Sequence, residues 1–207
     1  TGETGGPPVR PGTSYGDIVA GLFTVIGILA ALQDRARSGK GQMLDMSMLD
    51  CQVAVLENAF TRYFVTGETP EPIGTRHPVF TPFQAFQTQD GWMVVAVMGG
   101  ASDKWPLFCA AIDRIELIDD ERFLDGWSRT RHYEILEPIL SSVMLQKTTQ
   151  QWIELFLEQG IACGPVNSIP QVVEDPHVNS RGMFHEIEYP NLGKVKTVGS
   201  PIRLSDA

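Results

Sequence analysis

One carboxylate, Asp17, stands at the head of the most apolar stretch of the chain and directly after Gly16. A carboxylate attacks a carbonyl well when it is charged and poorly hydrated at the same time. The free amides of a helix start favour the charged form. The run that follows, Ile18 to Leu32, is interrupted only by Thr24 among its non-Gly residues, so Asp17 can sit at the edge of a dry core. Gly16 permits close approach of a substrate backbone or acyl chain. The plainer reading stays open beside this one: Asp at a helix start is ordinary capping or dipole complementation.

Other constellations fall short of a chemistry. Gly39-Lys40-Gly41-Gln42 lacks the upstream Gly and the Ser/Thr of a phosphate loop, and it follows a helix, so it reads as a helix stop and turn. His77, His132, His177 and His185 have no metal-ligand spacing, and no metal site is expected. His132 shares a charged face with Arg129 and Arg131 and is expected in solvent. His177 and His185 flank turns. Cys51, Cys109 and Cys163 form no CxxC pair, and their scatter fits a reducing compartment. Cys51 and Cys109 lie in apolar helical stretches and read as small core residues.

The elements that must position Asp17 follow from periodicity and punctuation. Residues 1–15 form an irregular opening loop, rich in Gly and Pro. The apolar helix runs on to about Arg37 and stops at Gly39, with Arg35 and Arg37 at its negative end. Gly21, Gly27, Ala30 and Ala31 predict close approach of a second helix or a sheet. A short strand is expected over 42–47 and a second helix over 48–65. The Gly/Pro-rich stretch 67–82 marks a boundary. Beyond it, 83–87 and 92–97 flank Asp90-Gly91 as a hairpin. Helices are predicted over 103–112, 129–146 and 149–159, the last with a Thr148/Gln151 capping box and Gly160 past its end. A strand near 163–166, a brief helix near Gln171 and a hairpin of 184–189 with 194–198 complete the pattern.

With 207 residues, 43% of them hydrophobic, the chain can bury a sizeable core in one or two compact units. A net charge of −9 argues against a nucleic-acid partner, and no polybasic run suits an anionic membrane. The apolar run is short for a bilayer span and closely flanked by Asp17 and Asp34-Arg35, so its helix is expected inside a large core. The chain opens at Thr1 with no leader pattern and reads as a piece of a longer polypeptide.

The segment from Gly16-Asp17 through Gly27-Ile28-Leu29-Ala30-Ala31-Leu32, then Arg35 to Gln42 as R-x-x-x-G-x-G-Q, then Leu44-Asp45-Met46-Ser47-Met48, resembles the family III CoA-transferases. Similar matches follow in order: Arg76-His77-Pro78, Pro82-Phe83-Gln84, Asp90-Gly91, Trp105, Arg122-Phe123, Gly160 to Asn167, Asp175-Pro176, Arg181-Gly182-Met183 and Gly199 to Ser205.

The resemblance implies an α/β fold: part of a Rossmann-like large domain, mostly helical in this stretch, plus a small α+β domain. It implies residues 1–66 as part of the large domain, 67–82 as a linker, 83–183 as the small domain and 184–207 as a return segment. It makes Asp17 the nucleophile that passes through acyl-aspartyl and aspartyl-CoA states. It places Gly16 and Met48 beside Asp17, although Met48 also reads as a core residue at a strand end.

Some family members close a glycine-rich loop over the reacting centre; this chain has Gly74-Thr75-Arg76-His77 there, which departs from the formyl/oxalyl pattern. Arg76 and His77 are then candidates to meet an acid substrate, and Gly99-Gly100 reads as a turn. Substrates would be acyl-CoA and small carboxylic acids, with no further cofactor, in a cytoplasmic, interlocked homodimer. Much of the CoA cradle belongs to a segment this chain lacks, so the chain alone is expected to be inactive. The alternatives are a 2-methylacyl-CoA racemase, with Asp17 as acid/base, and a non-catalytic scaffold that kept the fold.

Overall fold

In the computed structural model, which describes residues 2–100 and 103–205, the apolar run is a single helix, α1 (Tyr15–Ser38). The outermost residues expected in the opening loop and return segment, Thr1, Asp206 and Ala207, lie outside the described residues. Gly39 ends α1 as its position predicts: at φ 72° its N–H turns back to the Arg35 carbonyl at 2.8 Å. The chain divides into two compact units, Thr1–Thr75 and Arg76–Ala207.

In the first unit α1 packs on α2 (Met48–Val55), which is followed by α3 (Glu57–Thr66). The single helix expected over 48–65 is thus two, broken at Leu56 (φ −92°, ψ 22°). The strand expected over 42–47 is absent. Among the described residues this unit contains no strand, so there is no edge for one to pair with. The alternation is used differently: Leu44 and Met46 both lie against Gly27 of α1, where a Cβ would come within 3.0 Å of Leu44 Cδ1 and 3.6 Å of Met46 Cε.

The expectation of a helix closed in by core does not hold within this unit. Val19 is the buried residue of α1, while Ile18, Leu22, Val25, Ile26 and Leu29 are exposed. Within the unit α1 is met by α2 and by the 44–46 segment, and most of its apolar surface is left exposed. By length and composition alone α1 could also cross a membrane, a test that core helices of soluble proteins pass equally.

The second unit holds an antiparallel sheet in the order β1 (Phe83–Gln87), β2 (Trp92–Ala96), β3 (Ala162–Pro165). Alternation brings Phe86, Met93 and Val95 to one face, all buried. Against them pack α4 (Trp105–Ala111), a 3-10 turn (Ile115–Leu117), α6 (Tyr133–Met144) and α7 (Thr149–Glu158). Phe156 joins the helices, its ring stacked at 5.4 Å on both Phe108 and Trp152. The capping box of α7 forms as predicted, with Thr148 and Gln151 bonding each other's backbone.

The helix expected over 129–146 starts earlier and splits into α5 (Gly126–Arg131) and α6, with a break at His132 (φ −100°, ψ 25°). Asp125 is the local reason for the early start, because its carboxylate accepts the Ser128 N–H at 2.8 Å as an N-cap. Helices α8 (Ile169–Glu174) and α9 (Pro176–Ser180) lead into the hairpin β4 (Phe184–Tyr189) and β5 (Gly193–Val198).

Asp90-Gly91 ends a hairpin, but not as a tight two-residue turn. Neither residue is left-handed, and the turn closes over four residues through Thr88 N–H to Gly91 O at 2.9 Å. Asp90 instead ties the hairpin to α7: its Oδ1 accepts from Thr149 N (2.8 Å), Thr149 Oγ1 (3.0 Å) and Thr88 Oγ1 (3.3 Å). The Thr149 N–H bond is the main cause that holds this carboxyl below its ordinary value of 3.8. A group whose folded pKa is depressed stabilises the fold above its unfolded pKa, and the contribution is lost as pH falls through the folded one. Asp90→Asn should therefore flatten the loss of thermal stability below about pH 4 and lower the melting temperature at neutral pH. Melting curves from pH 7 to 2 check this, and identical slopes for both proteins would remove Asp90 as an acid-sensitive tie.

Candidate functional site

Asp17 lies on the third residue of α1, inside the helix rather than at its cap; Ser14 holds the cap position and makes no side-chain cap bond. Among the described residues the Asp17 side chain forms no hydrogen bond and no ion pair, and it is exposed. The capping alternative therefore does not describe it. What remains of the plainer reading is the favourable field of the helix start acting on its charge.

Beside it, Met48 and Gln52 are one turn apart on α2 and share a face that meets the start of α1. Gln52 Nε2 donates to the Gly16 carbonyl at 3.5 Å, and a Cβ added to Gly16 would come within 3.7 Å of Met48 Cε and 4.0 Å of Gln52 Nε2. Those are ordinary contacts. Met48 is the first residue of α2 and 51% exposed, so it is neither at a strand end nor in the core. Sequence reasoning passed over Gln52; its i+4 spacing from Met48 was the signal that could have found it.

The structure brings Gly16, Asp17 and Met48 together in the first unit. Arg76 and His77 belong to the second. The Arg76 guanidinium lies 3.9 Å above the Tyr133 ring. His77 is stacked between Phe80 and Phe83, with centroids at 5.0 and 5.1 Å. Its Nδ1 accepts the N–H groups of Val79 and Phe80, both at 3.1 Å, so the neutral ring carries its proton on Nε2. The two residues thus sit in a knitted turn that opens the sheet of their unit.

Arg129 is the residue that sequence reasoning misplaced. Grouped with Arg131 and His132 as a solvated charged face, it is instead fully buried, its Nε donating to Thr81 O at 2.7 Å. Its neighbour His132 is half-buried, with Nδ1 2.9 Å from Ser128 O. No local pattern marks Arg129, because two of its partners, Thr81 and Asp103, lie 48 and 26 residues away in the chain.

The thiols offer no competing nucleophile. Cys51 and Cys109 are buried, and burial pushes the Cys109 thiol up to about 12, leaving it protonated at neutral pH. Cys163 is half-buried, and burial raises its thiol too. Among the described residues no group of three or more His, Cys, Asp or Glu could hold a metal ion.

The model of CoA-transferase family III matches residues 1–207. The chain is 34% identical to succinyl-CoA:glutarate CoA-transferase of Mus musculus over 99% of its own length and 47% of the relative's. It is 31% identical to succinyl-CoA:mesaconate CoA-transferase of Haloarcula hispanica, over 100% of its length and 51% of the relative's. A crystal structure of a CAIB/BAIF family protein from Brucella suis superposes with a TM-score of 0.77 at 33% identity, covering 100% of this chain and 53% of that one. The chain spans about half the length of the curated relatives it matches.

Proposed function

The chain belongs to CoA-transferase family III, and we propose that the whole protein moves coenzyme A from an acyl-CoA donor to a carboxylic acid acceptor through Asp17. The observation that carries this reading is the carboxylate itself. It occupies the first turn of a long apolar helix, is charged by type, and has no structural partner among the described residues.

The steps balance without ATP. An Asp17 carboxylate oxygen attacks the thioester carbonyl of the donor; the C–S bond breaks, giving an acyl-aspartyl anhydride and CoA thiolate. The thiolate attacks the aspartyl carbonyl, and the donor acid leaves as its carboxylate. An acceptor carboxylate then attacks the aspartyl-CoA thioester and expels thiolate. Attack of that thiolate on the acceptor's acyl carbonyl yields the new acyl-CoA and frees Asp17. Every intermediate is an activated carbonyl, so the thioester's free energy is retained.

Gly16 and Met48 border the nucleophile and are read as contacts to the transferred group. Arg76 and His77 are read as candidate acid-substrate contacts. The relatives are named for succinyl, glutarate and mesaconate transfer, which supports short dicarboxylic acids as the substrate class here. Those names also favour transfer over epimerisation. An interlocked, cytoplasmic homodimer completes the reading, with residues 1–66 in its large domain and 83–183 in its small one.

Incubating the whole protein with several acyl-CoA donors, then trapping with hydroxylamine or borohydride and mapping peptides by mass spectrometry, tests it. A modification on Asp17 is expected. No adduct, together with α-proton exchange into a 2-methylacyl-CoA in heavy water, would replace the transferase by the racemase.

A further inference from the structure

An amide on the core face of a sheet costs free energy unless its polar atoms are bonded, so a Gln there calls for a reason. Gln84 is such a residue. It is 6% exposed, stands opposite Val95 in register and alternates with Phe86, which places it on the face of β1 that carries the core. Its side chain is hydrogen-bonded to the hydroxyl of Tyr133, the first residue of α6. Among the described residues no buried side-chain nitrogen or oxygen lacks a partner.

That bond fixes a ring, and the ring carries a cation. The Arg76 guanidinium carbon stands 3.9 Å from the centre of the Tyr133 ring, well inside the reach of a cation–π contact. Burial pushes the Tyr133 hydroxyl above its ordinary value of 10, so the ring stays neutral at working pH. The backbone beside Arg76 is held as well. His77 N–H donates to Phe83 O at 2.8 Å, and the His77 ring accepts the N–H groups of Val79 and Phe80. Arg76 is therefore fixed at its guanidinium through Tyr133 and at its backbone through the His77 turn. A guanidinium stacked by its face turns its N–H groups outward along its edge, the geometry that grips a carboxylate with two parallel bonds.

A fixed cation on the reacting carboxylate would hinder transfer, because that charge is lost as the acyl bond forms. On a second carboxylate it keeps its partner through every step. We propose that Tyr133, locked by Gln84, is a positioning residue that aims Arg76 at the non-reacting carboxylate of a dicarboxylic acid. This rests on the reading of Arg76 as an acid-substrate contact.

Succinate and butyrate, compared as acceptors for the whole protein with one acyl-CoA donor, test it. The parent should prefer succinate, and Arg76→Ala should remove most of that preference. Tyr133→Leu should raise KM for succinate about tenfold, the scale of a lost cation–π contact, while kcat changes less than about twofold. Tyr133→Phe keeps the ring and should return KM to within about threefold of the parent. Tyr133→Leu added to Arg76→Ala should raise KM no further, because Tyr133 acts only through Arg76. A parent that does not distinguish the two acids, or an Arg76→Ala protein that distinguishes them as the parent does, would sink the acid-contact reading and the proposal with it. With that reading intact, an unchanged succinate KM in Tyr133→Leu overturns the positioning role alone. So do additive losses in the double variant, which would make Tyr133 a structural support. Should Tyr133→Leu fail to fold, Gln84→Met frees the ring while filling the core; its succinate KM should rise about threefold, and no rise there overturns the proposal.

Discussion

Asp17→Asn should lower CoA transfer in the whole protein by at least about a thousandfold, the scale seen when a covalent nucleophile is removed, and leave the fold almost untouched. The two halves of this expectation come from the same geometry. The Asp17 side chain is exposed and bonded to no other described residue, so its replacement breaks no side-chain contact. Only the attraction between its charge and the start of α1 disappears, about 0.3–1 kcal/mol. An amide oxygen cannot form the anhydride, so both covalent states vanish together. Asp17→Glu keeps the charge but displaces it by one methylene, and a misplacement of roughly an ångström costs about a hundredfold. Turnover and melting temperature measured on both variants separate the cases. An Asp17→Asn protein that keeps a tenth of the parent's turnover would move the nucleophile elsewhere. A parent that transfers no acyl group at all would favour the scaffold.

What could be read in the sequence was what is encoded locally. Gly39 after an apolar helix, the Thr148/Gln151 pair and the two hairpins each carry their signal within a few residues, and each stands where expected. Residues 42–47 looked like a strand because alternate positions are apolar, but alternation reports only which side is covered. Here the cover is α1, through Leu44 and Met46 at Gly27. The breaks at Leu56 and His132 have neither Gly nor Pro within three residues to mark them. The site followed the same rule. Asp17 at a helix start was visible, but its lack of any structural bond was not. Gly21 was expected to admit a neighbouring element, yet no other described element comes within 4 Å of where its Cβ would stand.

Arg129→Ala should destabilise the second unit by about 3 kcal/mol or more, the usual scale for breaking a buried ion pair from one side. The guanidinium is entirely buried and donates from each of its three nitrogens: Nε to Thr81 O at 2.7 Å, Nη1 to Phe123 O at 3.1 Å, Nη2 to Asp103 Oδ2 at 2.9 Å. It also lies 4.8 Å from the Trp105 ring centre. Filling the space with Arg129→Met is the informative comparison. A buried ion pair replaced by apolar groups is often neutral, but here two of the three acceptors are backbone carbonyls that substitution cannot remove. Left unbonded, each costs about 1–3 kcal/mol, so Met should recover packing and still fall well short of the parent. Arg129→Lys keeps the charge but not the planar fork and should also be destabilised. Urea unfolding followed by tryptophan fluorescence gives the order. Met within about 1 kcal/mol of the parent would mean the carbonyls find other donors, and that volume alone holds α5 to the turn preceding β1. If the carbonyls do depend on Arg129, hydrogen exchange in the Met variant should rise first at Val79 and Phe80. Their N–H groups are held by His77, whose turn is anchored through Thr81 to Arg129 and through Val79 O to Thr130 Oγ1 at 3.2 Å.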